Sequence, residues 1–130
     1  MLFTQSVRRQ RGFALIELLV VVAVIGILSA TGLVLYANLT QRIRTAKAMA
    51  DGRALTTAVS VYAAHTGTLP TALTDLTVPV TNGQNSVAGP FILALPAAPS
   101  GWSAYAYTVD SSTWEFSISA SGDGTTVTLP

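Results

Sequence analysis

Cysteine is absent from all 130 residues, which excludes a disulfide framework, a thiolate metal site and a cysteine nucleophile. Any folded part outside the cytoplasm must then be held by packing alone. Charge is scarce as well: 10% of residues are charged, against about a quarter in ordinary soluble domains. His65 is the only histidine, so no imidazole pair can hold a metal, and its place fits a helix end, where the dipole favours a cation. No Gly-x-Ser-x-Gly elbow, phosphate loop or His-Glu-x-x-His helix occurs, and the chain is expected not to be an enzyme. Proline is missing until Pro70, so nothing before that point forbids one continuous helix.

What is present is concentrated. No charged residue lies between Leu18 and Gln41, and Leu, Ile, Val, Ala and Gly fill most of that run. Twenty-four helical residues rise about 36 Å, enough to cross a hydrocarbon core of about 30 Å. Ahead of it stands the cationic segment MLFTQSVRRQRG. The apolar run is too long for the h-region of a secretory signal, and no A-x-A-like site follows it, so the run is expected to stay in the mature protein. Arg8, Arg9 and Arg11 flank its front and Arg42, Arg44, Lys47 and Arg53 its back, so the positive-inside count leaves the orientation open. Beyond residue 41 four basic residues meet five acidic ones, which offers no broad footprint for nucleic acid.

The helical pattern continues past the membrane-length run. Leu39, Ile43, Ala46 and Ala50 recur at helical spacing, then Leu55, Val59 and Tyr62, and a helix from about Phe13 to His65 is predicted, ended by Gly67 and Pro70. Residues 66–103 read as a connector rich in Pro, Gly, Thr and Asn, with one helical turn at Thr71–Leu76 capped by Thr71. Periodicity then switches to two. Ala104–Val109, Trp114–Phe116–Ile118 and Val127–Leu129 predict three antiparallel strands, turned at Asp110-Ser-Ser and Ser121-Gly-Asp-Gly. Tyr105, Tyr107, Trp114 and Phe116 are expected in a core. Residues 66–130 alone are too few for a convincing core, so Leu55, Val59 and Tyr62 should cover Trp114, Phe116 and Ile118. The predicted class is α+β: a long N-terminal helix packed on a small three-stranded antiparallel sheet.

Glu17 is the only charge between Phe13 and Gln41. An ionised side chain at the centre of a membrane helix costs roughly 2.5–3.5 kcal/mol, less near its end. Glu17 either snorkels to the interface or does something there. Its setting, Arg11-Gly12-Phe13-Ala14-Leu15-Ile16-Glu17 followed by Leu18-Leu19-Val20-Val21-Val22, closely resembles the processing signature of the type IV pilin superfamily. Gly26 falls where many pilins have a glycine. Gly67-Thr-Leu-Pro70, Gly89-Pro-Phe, Leu95-Pro96, Pro99 and Trp102 resemble the connector of the major pseudopilins of type II secretion.

That resemblance implies a cleavable leader over 1–12, cut between Gly12 and Phe13 by a prepilin peptidase, with Phe13 N-methylated. It implies a transmembrane and assembly half over 13–37 and an extracytoplasmic head over 38–130. It implies a precursor in the bacterial inner membrane with its head outside the cytoplasm, and a periplasmic or cell-surface filament after assembly. Glu17 and Phe13 would be the assembly residues. Partners would be copies of the chain itself, inner-membrane assembly machinery and minor pilins, with no nucleic acid expected. The favoured reading is a type II secretion pseudopilin; the alternatives are a type IV pilus subunit for adhesion or motility, a DNA-binding competence pilin, and a membrane-anchored periplasmic binding module.

Two departures qualify it. Val34 stands where many members have proline, with Gly32 nearby to loosen the same turn. No cofactor is required, but the subfamily's calcium loop would fall on Ser121-Gly-Asp-Gly, with Asp123 and Asp110 as its acids. No acid follows Asp123, and a hard cation wants six to eight oxygens. The competing reading is a turn whose Asp bonds its own backbone.

Overall fold

The computed structural model describes residues 7–130, with side chains from Phe13 onward; Met1–Ser6 of the predicted leader lie outside the described residues. Helix α1 spans Val7–Thr66 without interruption. It stays helical through Gly26, Gly32 and Val34, so the glycines do not break it in place of the missing proline. It ends where Gly67 takes φ +76°, a left-handed conformation glycine adopts at little cost, and the Gly67 N–H donates to the Ala63 carbonyl at 2.9 Å. The described residues divide into two compact units, with the boundary between Thr40 and Gln41.

In the first unit the helix is alone. Side chains from Phe13 to Leu39 are exposed on every face, including Phe13, Ile16, Leu19 and Leu35. By length and composition this helix is long and apolar enough to cross a membrane. A helix apolar all round needs lipid or other protein about it.

The second unit contains a three-stranded antiparallel sheet in the order β3–β4–β5, formed by Ala106–Asp110, Glu115–Gly122 and Thr125–Leu129. A short hairpin, β1 (Val80–Thr81) with β2 (Val87–Ala88), and a 3-10 helix at Leu73–Thr77 organise the connector. The hairpin was not legible in the sequence, because two-residue strands carry no period. The α+β architecture is as expected.

The core has two parts. One joins Leu55, Ala58 and Val59 of α1 to Leu73, Leu76 and Ile118, flanked by Tyr62, Phe91, Tyr105, Tyr107 and Phe116. The other joins Ala48 to Trp102, Ala120 and Val127. Alternation along β4 explains this: Phe116, Ile118 and Ala120 face inward, while Ser117 turns out and its hydroxyl meets that of Thr108 across the strand pair at 2.6 Å.

Three expectations are corrected. Trp114 is not in a strand or the core; it lies in the β3–β4 turn with φ +60° and is 56% exposed, and the buried tryptophan is Trp102. The stripe Ile43–Ala46–Ala50 is exposed, and α1 instead buries Ala48, Gly52 and Leu55, nearly the opposite side. Small residues let the sheet come close there: a Cβ on Gly52 would collide with Leu129. Thr71 does not cap the 3-10 helix by its own side chain; the Asp75 carboxylate accepts from the backbone N–H groups of Thr71 and Ala72 and from the Thr71 hydroxyl, at 2.8–3.0 Å.

Candidate functional site

Two places carry the residues singled out by sequence. The first is the start of α1. Phe13 and Glu17 are four residues apart, so they stand one above the other on one helix face. Both side chains are exposed, among exposed Leu15, Ile16, Leu18 and Leu19. Covering an ionised carboxylate in an apolar helix surface leaves a charge uncompensated unless a cation meets it, and pairing offsets part of that cost. Gly12, next to Phe13, lies in the helical backbone.

The second place is the β4–β5 turn. Asp123 sits at φ +52°, a conformation that aspartate adopts more readily than bulkier residues, followed by Gly124 at φ +71°. Its carboxylate does not bond its own backbone. Arg44, projecting from α1, donates Nε–H to Oδ2 at 2.7 Å and Nη2–H to Oδ1 at 2.8 Å. The Trp102 indole N–H donates to Oδ2 at 2.8 Å, and the Gln41 amide donates to the Asp123 carbonyl at 3.1 Å. Hydrogen bonds from Arg44 first, then from Trp102, hold the Asp123 carboxyl below the usual carboxylate range, and the same bond raises Arg44.

This arrangement does not suit a cation. Both Asp123 oxygens already face a guanidinium, so an incoming ion would have to displace a fixed positive charge. Asp110 cannot join it, because Asp110 pairs with Glu115, the first residue of the eight-residue β4, and Asp123 follows its last, about 25 Å away at the standard rise. Asp110 instead accepts from the hydroxyl and N–H of Ser112, which hold it below the usual range. The turn reading therefore describes Asp110, whereas Asp123 belongs to a clasp that sequence reasoning missed. Among the described residues, no group of three or more His, Asp or Glu side chains could hold a metal ion.

A second clasp lies along the same helix. Lys47 donates to Asp51 and to the Ala97 carbonyl at 2.7 Å, and the Tyr105 hydroxyl donates to Asp51 at 2.7 Å. Burial first, and then the Asp51 carboxylate, push the Tyr105 phenol well above its ordinary range. His65 reaches the Ser86 carbonyl at 3.1 Å and lies against Phe91, tying the helix end to the connector hairpin.

Residues 7–33 match the family described as the prokaryotic N-terminal methylation motif. The match brackets Gly12, Phe13 and Glu17 together with most of the exposed apolar helix, so the chain carries a type IV pilin-like signature. No solved structure matches the chain significantly.

Proposed function

We propose that this chain is the structural subunit of a type IV pilus-like filament, most consistent with a type II secretion pseudopilin, that polymerises through α1. The observation that carries the reading is the methylation motif, whose Gly12-Phe13 junction and Glu17 open an uninterrupted helix with apolar side chains exposed all round. Cleavage after Gly12 would free a cationic amine on Phe13. In the assembled filament lipid is exchanged for subunit packing, and Glu17 pairs with the Phe13 amine of a neighbour, which offsets a desolvation cost neither charge could bear alone. A tethered binding module has no use for that pair. The same surface repeated by one rotation and rise gives an open polymer. The connector pattern supports the secretion branch.

The alternative, a type IV pilus subunit for adhesion or motility, is favoured by one observation: Arg44 fills the turn where the secretion subfamily would place calcium. Deleting the gene in its native host separates the two. Loss of exoprotein from the medium with surface pili intact supports the secretion subunit, and loss of sheared surface pili with secretion intact supports the pilus subunit. Loss of neither sinks both of these readings.

A further inference from the structure

Trp114 is the most exposed large aromatic side chain of residues 41–130. It occupies φ +60°, a region costly for a bulky residue and cheap for glycine or asparagine, so the turn presents an indole where a smaller residue would fold more easily. Two exposed carboxylates stand side by side next to it at the base of the turn. Asp110 and Glu115 are cross-strand partners at the mouth of the same turn, and neither forms an ion pair among the described residues.

The complementary surface is on α1. Arg42 and Arg53 are both exposed and, among the described residues, neither is in an ion pair. They are eleven residues apart, which is close to three full turns, so they share one face about 16 Å apart along the axis. Between them on that face lie exposed Ala46, Met49 and Ala50, a shallow apolar strip with a flexible thioether at its centre. This strip is the apolar stripe that the head leaves uncovered.

We infer that the β3–β4 turn of one subunit docks on this face of α1 in a second copy of the chain. Trp114 lies against Met49, and Arg42 and Arg53 lean inward along the strip to meet Asp110 and Glu115, which stand side by side at the mouth of the turn. The charge match selects a second copy: two acids outside any ion pair beside the aromatic on one surface, two guanidiniums outside any ion pair at the ends of the apolar strip on the other, among the described residues. The two surfaces differ, so the contact is head-to-tail and propagates. The buried aromatic supplies affinity and the flanking charges set register. The inference rests on the filament reading above.

The test uses the full-length chain in its host and reads sheared filament by immunoblot. Arg53→Glu and Glu115→Arg should each lower filament yield by about fivefold or more, and the two together should restore it to within about twofold. Independently, a short bis-maleimide should join co-expressed Arg53→Cys and Glu115→Cys subunits into mixed dimers, on an otherwise cysteine-free background, because an arginine–glutamate pair holds its backbones too far apart for a direct disulfide; neither variant alone should be joined. Either rescue or the mixed dimer supports the interface, and the dimer does not depend on the charge-reversed heads folding. Wild-type filament with neither result overturns the interface alone. Trp114→Ala filaments at wild-type yield would mean that the turn serves some other partner, and would likewise overturn it. Wild-type cells in which the chain forms neither sheared filament nor cross-linkable multimers in the membrane fraction would overturn the filament reading and the interface with it.

Discussion

Arg44 and Asp123, seventy-nine residues apart in sequence, meet side by side through two hydrogen bonds and fasten the last hairpin of the sheet to α1. The geometry is the planar, two-point fit that a guanidinium makes with a carboxylate and that a lysine could not reproduce. Trp102 adds a third donor from the far end of the connector, so one carboxylate gathers three separate parts of the chain.

Because Arg44 supplies the positive charge at Asp123, the head should not depend on calcium. Chelator and millimolar calcium should both leave the melting temperature of residues 41–130 unchanged, whereas Arg44→Ala should lower it by a few degrees. A ligand that bound only the folded state would raise it by mass action. A clear rise with calcium in the wild type would overturn the argument from Arg44.

The same clasp predicts an acid limb. Asp123 titrates lower folded than unfolded, so its contribution is complete above the unfolded value of about 4 and is lost as pH falls through the folded one. Melting temperature should be flat near neutrality and drop below about pH 4. Asp123→Asn should flatten part of that drop, with Asp75 and Asp110, both also held low, retaining the rest. Parallel curves for wild type and Asp123→Asn would count against it.

Gly122 is set directly beneath the Trp102 indole, and a Cβ there would fall 2.4 Å from two ring carbons. A fused ring cannot bend aside as an aliphatic chain end can. Gly122→Ala should therefore destabilise the head by about 1–3 kcal/mol and weaken the near-ultraviolet dichroism of Trp102. An unchanged unfolding midpoint in urea would show that the ring is less constrained than its packing implies.

Processing is tested by mass. Protein extracted from native membranes should lack residues 1–12 and carry one methyl group on Phe13. Mature material retaining Met1 would remove the main support for the proposed function.

Glu17→Val separates assembly from anchoring. It removes a charge that is costly in lipid, so membrane levels and cleavage should be normal or slightly improved. Filament yield should collapse, since the neighbour's amine would be covered without a partner. Wild-type yield from the variant alone would sink the pairing mechanism, even with the signature intact.

Local physics determined much of this protein from sequence alone. Length, apolarity and the absence of proline predict one unbroken helix from about Phe13 to about His65, against the observed Val7–Thr66, and Gly67 marks its end, because backbone preference acts over a few residues. Alternation in Phe116–Ile118 and the turn residues predict the three-stranded meander in its observed order. Glu17 and the Gly12-Phe13 junction stand out for the same reason: each is an anomaly against its immediate neighbours.

Tertiary structure decided what local patterns leave degenerate. Between residues 41 and 54 alanines and glycine stand on both sides of the helix, so period alone cannot choose a face; Trp102, Val127 and Leu129 choose it by packing on Ala48 and Gly52. Trp114 continues the alternation of its strand in sequence, yet the turn takes it out of the strand, and Trp102 from an aperiodic connector fills the core instead. Asp123 reads locally as a turn residue or a metal ligand, and the partners that the structure places on its carboxylate, Arg44 and Trp102, lie seventy-nine and twenty-one residues away. Long-range pairing of charge is set by how the elements pack, and no spacing rule within one chain encodes it.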